Sequence, residues 1–179
     1  MAMTRTLLAL LVPEAESLVG DMRARLDPSA RLGLGAHITL VYPWLDSADV
    51  TDETLTRLRC TVARHAAFSF WLDLVGTFPS TVWLAPSPIE AIASLATSLD
   101  TAFPERPRIG PDYERYVPHL SVARNVRKDR DDIVASLHDR LEIHGRVECL
   151  CKEVHVMERD ATGWQALASF PLDRSHTGT

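Results

Sequence analysis

Apolar positions along the chain follow two rhythms, and the switches between them mark the elements. Residues 7–12 form an unbroken apolar run closed by Pro13, which predicts a buried strand. Residues 14–26 change to helical spacing, with Ala15, Leu18, Met22 and Leu26 on one stripe, Arg23 and Arg25 near the end and Pro28 as the stop. Gly33 and Gly35 loosen the loop 31–36, and a strand at 36–42 ends at Pro43. Thr51 is placed to cap a helix reaching about residue 65, with Val50 and Leu55 as its hydrophobic staple. Strands are predicted at 68–78 and 81–85, joined by the Pro79-Ser80 turn. Ser87-Pro88-Ile89-Glu90 predicts a helix start, with Ser87 as cap, followed by Ile92, Leu95, Leu99 and Phe103 at spacings of three and four. A proline-rich loop at 104–111 leads to a strand at 117–123 and a helix at 128–142. One long strand at 146–158, a turn at 160–163, a last strand at 164–172 and a polar tail at 173–179 complete the chain.

This order repeats. Strand, helix, strand, helix, strand runs through about residues 6–78, and the same succession follows from 79 to 172 with a hairpin strand added. No linker or low-complexity tract separates the halves. The pattern predicts a single α+β domain over 1–179, bilobal, with two pseudo-symmetric β-α-β-α-β lobes whose antiparallel sheets flank a central cleft.

Composition narrows the functions open to such a domain. The chain has 179 residues, 46% of them hydrophobic, and a net charge of −5. That balance disfavours a basic stripe gripping many phosphates of a long nucleic acid, and leaves a small nucleotide or a short RNA end as the nucleic-acid partner. Three cysteines, Cys60, Cys149 and Cys151, are too few and too odd in number for a disulfide framework and suit a reducing compartment. Cys149 and Cys151 share strand parity with His155, but no second ligand pair accompanies them, so packed core thiols are the better reading and no metal or cofactor is expected. The N-terminal apolar run is too short for a signal peptide and no stretch reaches membrane-spanning length. A cytoplasmic monomer without membrane contact is expected.

Within the two predicted inner strands, His37-Ile38-Thr39-Leu40 and His119-Leu120-Ser121-Val122 repeat one pattern 82 positions apart. Side chains alternate between faces of a strand, so each histidine shares a face with its hydroxyl residue, about 6.6 Å along the chain. The aliphatic residues between them anchor the strand in a core. A single such pattern is most simply a half-buried structural histidine. Two copies, brought together by pseudo-twofold symmetry, suit one phosphate. One imidazole takes a proton from a nucleophile and the other protonates the leaving oxygen. Thr39 and Ser121 hydroxyls would donate to the non-bridging oxygens.

These motifs, His37-Ile-Thr39-Leu-Val-Tyr-Pro43 and Pro118-His119-Leu-Ser121-Val-Ala-Arg124, resemble those of the two-histidine phosphoesterase superfamily, in its 2′,5′-RNA ligase-like and cyclic phosphodiesterase branch. Thr81-Val-Trp-Leu-Ala-Pro86 ahead of a helix, Glu153-Val-His-Val-Met-Glu158 and Ser169-Phe-Pro-Leu172 carry the similarity over about residues 5–172. The resemblance implies catalytic His37 and His119, phosphate-holding Thr39 and Ser121, and 2′,3′-cyclic phosphates or 2′,5′-linked RNA as substrates, hydrolysed or ligated. Serine in the second motif is a usual variant of the family.

Four more residues are substrate-binding candidates. Arg124 directly follows the second motif and could meet a phosphate. Tyr42 and Trp44 beyond the first motif, and Tyr116 before the second, could stack on a base, although packing against the core is the simpler role for each ring. A competing function for the same cleft is a non-catalytic module that binds a nucleotide or RNA end.

Overall fold

The computed structural model describes residues 4–106 and 116–174. Its strands are β1 (Arg5–Leu11), β2 (His37–Val41), β3 (Phe68–Phe78), β4 (Thr81–Ser87), β5 (Leu120–Arg124), β6 (Val147–Cys151), β7 (Glu153–Arg159) and β8 (Trp164–Pro171). Its α-helices are α1 (Glu16–Leu26), α2 (Pro28–Arg31), α3 (Asp52–Val62), α4 (Glu90–Ala102) and α5 (Arg130–His144). The strands form one curled antiparallel sheet in the order β6-β3-β4-β5-β2-β1-β7-β8. The α+β class and the antiparallel pairing are those expected from the sequence.

The lobes in space are not the halves of the sequence. One half-sheet is β2-β1-β7-β8 and the other is β6-β3-β4-β5, so β3 leaves the first half of the chain and β7 and β8 leave the second. The sheet order reads the same from either edge under a twofold between β2 and β5, which exchanges β1 with β4 and β7 with β3. The half-sheets join where Ile38 of β2 pairs with Leu120 of β5. The long strand expected at 146–158 breaks at Lys152 for the same reason: β6 pairs with β3 at one edge, while β7 pairs with β1 and β8 in the other half-sheet.

Packing follows strand alternation. Leu8, Leu10, Ile38, Leu40, Leu120 and Val122 are buried in the main core with Leu18, Val19 and Met22 of α1, Leu58 of α3, Ile92, Leu95 and Leu99 of α4, and Leu137 of α5. The helices cross over: α1 packs on β5 and α4 packs on β2, so each half-sheet is covered by a helix that precedes the partner strand. The opposite face carries a smaller apolar patch of Leu7, Ala9, Leu34 and Met157, with Leu11 and Trp164 against it. Residues 37, 39, 119 and 121 share that opposite parity.

Local signals held unevenly. Thr51 caps α3 through a reciprocal pair of hydrogen bonds: its hydroxyl accepts from the Thr54 amide at 3.3 Å, and its own amide donates to the Thr54 hydroxyl at 2.8 Å. Ser87 does not cap α4. It remains in β4 opposite Trp71, and the helix begins at Glu90 with no side-chain cap among the described residues, because ladder pairing holds the chain extended past the expected start. Pro28 does not simply end the first helix. Asp27 accepts from the Ser29 amide and opens the short α2. Residues 107–111 of the expected loop and 175–179 of the expected tail lie outside the described residues.

Candidate active site

The seam between the half-sheets assembles both motifs. Antiparallel register with Ile38 opposite Leu120 sets His37 against Ser121 and Thr39 against His119. Each histidine faces the hydroxyl residue of the other motif, and the two histidines are diagonal neighbours. Diagonal positions on a sheet are about 7–8 Å apart. A phosphoryl group between two imidazoles, with one hydrogen bond on each side, fits a span of that size.

Both imidazoles are oriented identically. Nδ1 of His37 donates to the Gly35 carbonyl at 2.8 Å, and Nδ1 of His119 donates to the Val117 carbonyl at 2.8 Å. A carbonyl can only accept, so the proton sits on Nδ1 in each ring and Nε2 is left for chemistry. The environments differ. His37 is 9% exposed, and burial lowers its pKa to about 4, the Gly35 contact opposing and the charges of Arg23 and Arg124 adding to the fall. His37 is therefore neutral near pH 7.

His119 stands against an aromatic wall that sequence reasoning missed. The Phe78 ring meets it edge-on at 5.1 Å, and the Trp83 ring lies 5.7 Å away. Trp83 also packs on Phe78 at 4.9 Å and extends over Gly76, where a Cβ would collide with the indole. Glycine at 76 is thus required by the ring above it. The Trp83 Nε1–H is buried without a hydrogen-bond partner among the described residues. Trp83 pairs with Ser121 across a register shift that places the extra residue in β5, while β4 keeps its own alternation, with Val82 and Leu84 buried and Trp83 on the other face.

Behind the seam lies a buried ion pair, also missed. Arg23, which the sequence suggested as a helix-end charge, is 1% exposed and bridges Asp27, itself 0% exposed, at 3.0 Å. A signal existed: Arg23 follows Val19 and Met22 on the buried stripe of α1.

The remaining candidates separate. Trp44 is fully buried and meets Phe103 edge-on at 5.1 Å, so it is a core residue and cannot stack on a ligand. Past Pro43 the strand alternation no longer places its ring. Tyr42 is 44% exposed and packs edge-on to Trp164 with ring centroids 6.3 Å apart. Tyr116 donates from its hydroxyl to the Thr39 carbonyl at 2.9 Å, bracing the first motif from the segment before the second. Arg124 ends β5, exposed, with its charge felt at His37. Cys149 and Cys151 are core thiols pushed up to about 12, chiefly by burial. His155 lies beyond the break at Lys152 and pairs with Glu153 at 3.1 Å. Among the described residues no group of three or more His, Cys, Asp or Glu side chains is placed to hold a metal, and no helix is long and apolar enough to cross a membrane.

The pattern that defines the 2′-5′ RNA ligase superfamily matches residues 11–163. Among solved structures, the chain is similar to E. coli LigT complexed with 3′-AMP (18% identity, 95% of this chain and 98% of that one, TM-score 0.64). It is similar to apo E. coli LigT (19% identity, 96% and 99%, TM-score 0.61) and to TT0787 of Thermus thermophilus (19% identity, 96% and 100%, TM-score 0.59). No curated protein matches the chain significantly.

Proposed function

The chain belongs to the 2′-5′ RNA ligase superfamily, and from that premise we propose that it is a metal-independent phosphodiesterase acting on 2′,3′-cyclic phosphates or 2′,5′ linkages at RNA ends. The observation that carries this reading is the diagonal histidine pair with both Nδ1 atoms anchored on carbonyls at 2.8 Å. Two imidazoles presenting Nε2 from adjacent strands supply both proton transfers of a phosphoryl substitution. His37, kept neutral by burial, accepts the proton of the attacking water or ribose hydroxyl as its oxygen bonds to phosphorus. The bond to the leaving ribose oxygen breaks, and protonated His119 gives its Nε2 proton to that oxygen. The tilted Trp83 ring beside His119 lies within cation–π distance of an imidazolium. Thr39 and Ser121 hydroxyls donate to the non-bridging oxygens, where negative charge is held in the transition state. With water as nucleophile the result is hydrolysis, and with a ribose hydroxyl it is ligation.

Trp83 is the aromatic residue placed to receive a nucleobase, since it lies on the motif face opposite Ser121. The 3′-AMP held by E. coli LigT is a nucleotide of the size this arrangement suits. The test is a panel of nucleoside 2′,3′-cyclic phosphates and of 2′,5′- and 3′,5′-linked dinucleotides, with products identified. Turnover of a cyclic phosphate or a 2′,5′ linkage, abolished together by His37→Ala and His119→Ala, is the expected result. Binding of these compounds without turnover would replace the enzyme with a nucleotide-binding module.

A further inference from the structure

We propose that the buried Arg23–Asp27 pair is the positioning unit of the two-histidine site, tying β5 to the chain entering β2 and setting the charge environment of His37. The role assigned to His37 as base rests on the function proposed above. The geometry does not.

Arg23 sits on α1, the helix that packs on β5, and its guanidinium divides between the second motif and the loop leading into the first. Nε donates to the carbonyl of Ser121, the residue opposite His37, at 3.2 Å. Nη2 donates to the carbonyl of Leu34, three residues before His37, at 3.1 Å. The same nitrogen meets Asp27 Oδ2 at 3.0 Å and Ser29 Oγ at 3.5 Å, while Asp27 Oδ1 accepts from the Ser29 amide and hydroxyl. Glu16, about two turns earlier on the helix, lies 3.8 Å from Nη1 and accepts from the Ala36 amide at 2.6 Å. One side chain thus ties β5 to the chain entering β2. Among the described residues the seam beside it has a single ladder pair, Ile38 with Leu120, so the clamp supplies much of what fixes the histidines relative to each other.

Burying an ion pair is costly, and replacing one with apolar residues is often neutral or stabilising, so stability alone does not explain its presence. A functional effect does. Four charged groups act on His37 or its immediate backbone: Arg23, Asp27 and Glu16 from the α1 side, and Arg124 at the end of β5. Across β2, Leu11 of β1 faces it, and His155 with Glu153 lies one strand further, on β7. Arg23 disfavours the charged imidazole and Asp27 favours it. Their opposite signs make the idea testable.

The experiment follows the His37 imidazole by NMR titration in the full chain, which needs no activity, and in parallel the acid limb of kcat/KM on whichever substrate the panel identifies. Arg23→Met is expected to raise the His37 midpoint by about one unit or more. Adding Asp27→Asn to it should return most of that shift, and Arg23→Lys should hold the midpoint near the wild-type value. Should Arg23→Met not fold, Asp27→Asn serves in its place: it removes the carboxylate that favours the charged imidazole, so the His37 midpoint is expected to fall. A merely structural pair predicts lower stability in each single variant with an unmoved His37 midpoint, and that result overturns the proposal. Midpoints that move as stated in a protein without turnover would uphold the coupling and remove only the enzymatic reading.

Discussion

His37 stands across the strand seam from Ser121, the hydroxyl of the other motif. Neither motif therefore contains a complete half-site. Each half of the proposed site is a histidine from one strand and a hydroxyl from its neighbour, so the proposed chemistry depends on strand register as much as on the residues themselves. A one-residue slip would turn one histidine into the core.

Removing either imidazole is expected to reduce turnover of the substrate by about 10²–10⁴, measured as kcat for His37→Ala and His119→Ala. Thr39→Val and Ser121→Ala should cost less, because each removes one donor to the phosphoryl oxygens and leaves proton transfer intact. Full activity in either histidine variant would end the two-histidine mechanism.

The pKa of His37 fixes the direction of two pH effects. In the unfolded chain this imidazole titrates near its ordinary value of about 6.5, and in the folded protein near 4. Between those values the unfolded state binds a proton that the folded state refuses. Stability is thus unaffected by this group above about pH 6.5 and falls as pH drops towards 4, by about 3 kcal/mol in total. Urea midpoints for wild type and His37→Gln compared across pH 7 to 4.5 check this, since the substituted protein should lose less stability over that range. The acid limb of kcat/KM should likewise lie near 4, and a limb near 6.5 would assign the base elsewhere.

The two tryptophans should separate by readout. Trp83→Ala is expected to weaken substrate binding by roughly tenfold or more through lost stacking, with a modest change in Tm. Trp44→Ala should instead destabilise the fold by about 3–5 kcal/mol and leave KM alone once folded. Gly76→Ala links the two effects, because its new methyl displaces the Trp83 indole: a loss of about 1–3 kcal/mol in stability with a raised KM is expected. Unchanged KM in both Trp83→Ala and Gly76→Ala would remove the aromatic wall from the substrate site.

The motif residues were legible because their logic is local. A two-residue period assigned His37, Thr39, His119 and Ser121 to common faces before any partner strand was known. Strand exchange was not legible, since β3 and β4 are continuous hairpin strands by pattern and nothing in residues 68–78 names the sheet they join. Alternation along β4 gives Trp83 its face, but its approach to His119 depends on which strand lies beside β4, which is tertiary pairing, and Trp44 lies past a proline, where alternation stops. Arg23 is hard to read for another reason: a cation near a helix end is ordinarily a solvated charge, and only its place on the buried stripe argues otherwise.

Thiol and metal chemistry should be silent. Cys60 is exposed, while Cys149 and Cys151 are buried with raised pKa values, so a disulfide-exchange reagent should titrate one thiol in the native protein and three after denaturation. Chelation with EDTA should leave turnover intact. A fall in activity on chelation, restored by one added metal, would contradict the metal-independent reading.

Because β3 on one side and β7 with β8 on the other complete the half-sheet begun by the other part of the chain, the two segments are woven together before they are a site. Cutting the chain at the Pro79-Ser80 turn would yield no autonomous lobe. Each fragment would carry one histidine motif, one edge without its neighbour, and a strand that belongs elsewhere. Activity should return only on co-refolding of both pieces, so the last strand to find its place also switches the enzyme on.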